Sequence, residues 1–230
     1  MTDISQDNLE IFIDKIKNDL GRRKKYIASL NDTIKKSDNT IDKIIFMKIT
    51  VPELYAQYEG FFKFIFSETI NYIKDLGIEN NKINNKYIIF PLLTSLTSEI
   101  TNQKTKAERI LTVFEDAFNN NKSFLHISDL EKYILNLDST RHTMNILDID
   151  SSKLPMKGLN LLYERRCQIA HGNIPESNPF YFSPDLDITD YIINKTYEYW
   201  EAHYKCVIYA LDTMTELFIN YISRKGYIST

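Results

Sequence analysis

Only two cysteines, Cys167 and Cys206, occur in the 230 residues, and they stand far apart in the chain. This excludes a disulfide framework and a CxxC metal knuckle, and it suits a reducing, cytoplasmic setting. Glycine and proline are scarce as well, six of each, which argues against a turn-rich all-β fold and for long helices. No run approaches 18 apolar residues without a charge, so no membrane partner is expected. The first residues, Met1 to Asp7, lack the basic and apolar regions of a signal peptide. The 28 Lys and Arg are outnumbered by 31 Asp and Glu, so contact with a polyanion has to come from a focused patch, not from the whole surface. The P-loop, the GxSxG elbow, the GxGxxG turn and HExxH are all missing. The four histidines, His126, His142, His171 and His203, form no pair at i and i+4. Neither a cofactor nor a bound metal is therefore expected.

What is present is helical periodicity. Leu9, Ile11, Phe12, Ile13, Ile16, Leu20, Tyr26, Ile27 and Leu30 recur mostly at three- and four-residue steps, which predicts a first helix from Asp7 to about Lys36. A second is predicted from about Thr40 to Leu76, stopped by Gly77 and kinked or divided at Pro52. Its stretch from Leu54 to Phe66 is apolar nearly all round, as in a helix at the centre of a bundle. Ile78 to Lys86 reads as a surface loop. Shorter helices follow at about Phe90 to Thr101, Lys104 to Asn119 and Ser128 to Asn136, the last opened by a capping box of Ser128 and Glu131. Another is expected from about Leu154 to Ala170, ahead of Gly172. A long final helix is predicted with Ser183 as N-cap and Pro184 at its first position, continuing to about Arg224. These elements make an all-α bundle of long antiparallel helices, one domain over 1–230 with an insertion of short helices at about 87–150.

The stretch Arg165-Arg166-Cys167-Gln168-Ile169-Ala170-His171-Gly172 is the strongest candidate for chemistry. A guanidinium can fork onto phosphate oxygens and stabilise charge that develops there, and an imidazole can move protons near neutral pH. Together, Arg166 and His171 supply what cleavage of a phosphodiester without a metal needs. The same spacing also describes a helix that simply ends on a histidine cap. Arg22, Arg23, Lys24 and Lys25 offer a second basic stretch, read either as a phosphate contact or as a solvated face.

The string from Arg166 to Gly172, after a leucine-rich helix and before a long one, resembles the Arg-x(4-6)-His signature of the HEPN superfamily. Leu54-Tyr55-Ala56-Gln57-Tyr58-Glu59-Gly60-Phe61-Phe62-Lys63 is similar to a second block of its bacterial MAE-type HEPN-like nucleases. The resemblance implies a HEPN-like helical bundle and a metal-independent endoribonuclease acting on RNA as a homodimer, of the kind found in toxin–antitoxin and antiphage-defence systems with a cognate antitoxin or regulator. By position, Arg166 would contact the scissile phosphate and His171 would position or deprotonate the ribose 2'-hydroxyl, leaving 2',3'-cyclic phosphate ends. Arg165 and Cys167 would support them, and Glu59 would orient Arg166 or Lys63. Glu59 also reads as a plain charge partner of Lys63 one turn on. Two positions depart from the pattern. Cys167 stands where a polar Asn is usual, and a thiol is a weak hydrogen-bonding group. Asn173 stands where some relatives carry a Tyr. The alternative is a HEPN module that binds nucleic acid or a partner protein without cutting, and a plain helical scaffold is a third reading.

Overall fold

The computed structural model describes residues 3–78, 82–83, 137–182 and 188–228. Five α-helices account for most of them: α1 (Asp3–Lys36), α2 (Thr40–Asp75), α3 (Leu137–Ile146), α4 (Met156–Ala170) and α5 (Asp190–Ser223), with a short 3-10 turn at Ser151–Lys153. Among the described residues the one extended pairing is an isolated antiparallel bridge between Ile83 and Ile228. The fold is all-α, as the periodicity predicts. None of the described helices is long and apolar enough to cross a membrane.

The described residues divide into two compact units, and α1, α2 and α5 each give a stretch to both. The first unit takes the described parts of Met1–Ile16, Phe62–Ser151 and Thr215–Thr230. Its core holds Phe12, Phe62, Phe66, Tyr72, Phe218 and Tyr227, joined by ring contacts such as Phe12 with Tyr72 at 5.3 Å and Phe62 with Phe218 at 6.2 Å. The second unit, Lys17–Phe61 with Ser152–Met214, is built around Tyr55, Tyr58, Phe61, Phe180 and Trp200, all fully buried. Each such side chain contributes roughly 1.5–3 kcal/mol through burial. Trp200 keeps its indole N–H satisfied by donating to Thr50 Oγ1 at 2.8 Å, which removes the penalty a buried unpaired donor would carry.

Pro52 does not divide α2, which runs through it as a single element. The missing N–H and the ring clash cost about 3 kcal/mol in a helix interior, and burial of Val51, Leu54 and Tyr55 on either side offsets this. The final helix starts later than its sequence suggests. Residues 188 and 189 are not helical and α5 opens at Asp190, because Thr189 Oγ1 accepts the Ile192 N–H at 3.4 Å and acts as the N-cap. Ser183 and Pro184, the expected cap, lie outside the described residues, as do the three short helices expected between Phe90 and Asn136 and all but Ile78, Lys82 and Ile83 of the expected loop. Ile83 is buried, so that position is not on the surface. Helix α3 falls within the insertion of short helices expected at about 87–150 but beyond the three ranges predicted there.

Candidate functional site

Helix α4 is oriented by one face. Leu159, Leu162 and Arg165 are its buried residues, three apart, as a stripe on a 3.6-residue helix requires. Gly158 sits where a Cβ would come within 2.6 Å of Cys206 Sγ on α5, so the glycine lets α4 pack closely there.

On the neighbouring face, Tyr163, Arg166 and Cys167 follow the i, i+3, i+4 spacing that brings side chains together. They meet Tyr55 and Glu59, themselves one turn apart on α2. The Arg166 guanidinium lies 5.5 Å from the centroid of the Tyr55 ring, and its Nη1 donates to Cys167 Sγ at 3.6 Å. The Tyr55 and Tyr163 rings are 5.4 Å apart. Hydrogen bonding to Cys167 holds Arg166 above the usual arginine range against the pull of partial burial, and the charge of Glu59 adds to this. The Tyr55 phenol is pushed up by burial first and by Glu59 second. Arg166 is therefore a fixed cation whose forked head is held on an aromatic shelf. Lys63 lies one turn beyond Glu59 on α2, half-buried and in the first unit.

His171 ends the helix as its C-cap, with φ −93° and ψ 0°. The capping is done by the backbone: the His171 N–H donates to the Cys167 carbonyl at 3.0 Å and the Gly172 N–H to that of Ile169 at 3.2 Å. Gly172 has φ +70°, a left-handed conformation that favours glycine. Because backbone groups make these bonds, the imidazole of His171 is spared from capping, and the residue is exposed.

Arg165, adjacent in sequence to Arg166, points elsewhere. It is buried, its Nη1 lies 2.5 Å from His203 Nε2 on α5, and its guanidinium sits 5.8 Å from the Phe180 ring and 5.3 Å from that of Tyr199. A guanidinium only donates, so His203 Nε2 accepts and the ring carries its proton on Nδ1. Burial, and then the charge of Arg165, push His203 down to about 3. The chain after His171 is pinned to the same region. Asn178, itself buried, donates from Nδ2 to Gln168 Oε1 at 2.6 Å and accepts the Phe180 N–H at 2.9 Å. Thr196 on α5 donates to the Pro179 carbonyl at 3.4 Å. Sequence reasoning passed over His203, Asn178 and Phe180, since none carries a recognisable motif and their roles arise only when the loop folds back.

Of the basic stretch on α1, three residues already have carboxylate partners. Arg22 pairs with Asp19, Arg23 Nε donates to Asp19 at 2.5 Å, and Lys24 Nζ donates to Asp212 at 2.9 Å. Arg23 also donates to Gln57 Oε1 at 3.2 Å and lies over Phe61. A Cβ on Gly60 would come within 2.9 Å of Arg23 Nη1, so the glycine after Glu59 makes room for Arg23 against α2. Lys25 is exposed. No group of three or more His, Cys, Asp or Glu that could hold a metal ion occurs among the described residues.

Two sequence blocks thus meet in one half-buried cluster. The family model described as HEPN_MAE_28990-like HEPN matches residues 12–227. The chain belongs to this HEPN family. No match was found among curated proteins or among solved structures.

Proposed function

Because the chain is a HEPN protein with an arginine and an exposed histidine on the last turns of one helix, we propose that it is a metal-independent endoribonuclease. In this reaction the ribose 2'-oxygen forms a bond to phosphorus while the bond from phosphorus to O5' breaks. His171 accepts the 2'-hydroxyl proton, O5' leaves as a hydroxyl by taking a proton from solvent water, and the upstream fragment ends in a 2',3'-cyclic phosphate. Arg166 holds the non-bridging oxygens, where negative charge grows. The observation that carries this reading is the placement of Arg166, with its guanidinium fixed over Tyr55 beside Glu59 on the helix that ends in His171.

Incubation of the pure protein with total RNA in excess EDTA tests it. Wild type should give discrete fragments. Arg166→Ala and His171→Ala should each lower the rate about a hundredfold or more, the usual cost of losing one preorganised charge-stabilising or proton-transfer group. Cleavage that needs added magnesium, or that survives in both variants, would overturn the mechanism. In keeping with this chemistry, the protein is proposed to act in the cytoplasm as a homodimeric toxin or antiphage-defence effector held in check by a cognate antitoxin or regulator.

A second reading is favoured by one observation. One Arg166 N–H is already given to the Cys167 thiol, which stands where relatives carry a stronger polar partner. A HEPN module that binds nucleic acid or a protein without cutting would show RNA affinity dependent on Arg166 and no fragments.

A further inference from the structure

The side chains around Arg166 include one that the reaction above does not use. Tyr163 lies one turn before Arg166 and Cys167 on the same face of α4, and its ring is held against Tyr55 at 5.4 Å. It is half-exposed, so solvent reaches this part of the cluster. The Arg166 guanidinium lies 5.5 Å from the same Tyr55 ring, and its Nη1 is given to the Cys167 thiol at 3.6 Å. One aromatic ring therefore gathers a neutral phenol and a charged guanidinium side by side. The thiol is a weak acceptor for Arg166, and an anionic phosphate oxygen placed there would be a far stronger one, open to the phenol as well.

We propose that Tyr163 is a further substrate-contacting residue of this site, its hydroxyl donating to a non-bridging phosphate oxygen that Arg166 also holds. The proposal rests on the ribonuclease reading and adds to it a stronger neutral donor than the Cys167 thiol. The groups facing Tyr163 are Glu59 and Tyr55 from α2 and Arg166 and Cys167 from its own helix. Hydrogen bonding to Cys167 raises the phenol above its ordinary value, with Arg166 opposing, so the hydroxyl keeps its proton at neutral pH.

Tyr163→Phe tests this, because it removes the hydroxyl and leaves the ring on Tyr55. Two quantities are read on the purified full-length protein: kcat/KM for a short single-stranded oligoribonucleotide, and the affinity for its fully 2'-O-methylated form, which has no nucleophile. The variant should melt at the wild-type temperature, bind the methylated strand about tenfold more weakly, and lose about ten- to hundredfold in kcat/KM, as expected for one hydrogen bond to a charged group. Wild-type affinity together with wild-type kcat/KM would overturn the proposal. Should wild type bind the methylated strand yet leave RNA intact, the ribonuclease reading fails alone: weaker binding by the Phe variant would still support Tyr163 as a phosphate contact, and equal binding would refute it. A wild-type protein that neither binds nor cuts refutes both.

Discussion

Arg165 and Arg166 are chemically identical neighbours whose environments set them apart. A step of about 100° around α4 puts one in the core against His203 and the other over Tyr55. The resemblance assigns the working role to Arg166 and a supporting one to Arg165, and the fold gives the two side chains these different surroundings. His203→Leu strands the buried guanidinium and should cost about 3 kcal/mol or more, whereas His203→Gln retains an acceptor and should cost less. Chemical denaturation of both variants measures this, and equal losses would argue against the pairing. The pair also predicts a pH dependence. His203 titrates at about 3 in the folded chain, below its ordinary 6.5, so between these values the unfolded chain binds the extra proton. Stability should therefore be fully present above about pH 6.5 and fall as pH drops toward 3, by about 5 kcal/mol at most. In His203→Gln that part of the slope should vanish, and an unchanged slope would assign the acid sensitivity to other groups.

At the scale of elements, the long helices were legible because their apolar positions keep a 3.6-residue period, and α1, α2 and α5 fall close to their expected ranges. Helix α3 was not, since Thr140 and Thr143 are among its buried residues and polar side chains at those positions hide the apolar face from any pattern. The start of α5 differs from the expected one because Ser183-Pro184 is a stronger opening signal on paper than Thr189, the cap the chain uses. In the candidate site, the pairing of the two sequence blocks was readable as a resemblance. The clamp formed by Asn178, Gln168 and Phe180 was not, because it depends on where a loop returns. Close helix approach offers its own test. Gly158→Ala should destabilise the protein by about 1–3 kcal/mol through overpacking against Cys206, and Cys206→Ala in the same chain should recover part of this. Thermal melts of the two single variants and the double variant close the cycle, and strictly additive effects would show that the two side chains do not meet.

At the scale of the molecule, Arg166 and His171 stand five positions apart, about 140° around a straight helix and roughly 7.5 Å along it. Both side chains are more readily aimed at one phosphate if two copies pair about a two-fold axis that brings a second Arg166 and His171 to the same groove. A mixed dimer of one Arg166→Ala chain and one His171→Ala chain should then regain part of the activity that each parent homodimer has lost. Mixed dimers as inactive as their parents, or a monomer that still cuts RNA, would refute sharing. Mass spectrometry of the product ends, formed from a defined oligoribonucleotide in excess EDTA, reads the chemistry of the cut directly. The prediction is a 2',3'-cyclic phosphate on the upstream fragment and a 5'-hydroxyl on the downstream one, both absent with Arg166→Ala; intact RNA, or ends bearing a 3'-hydroxyl and a 5'-phosphate, would contradict it.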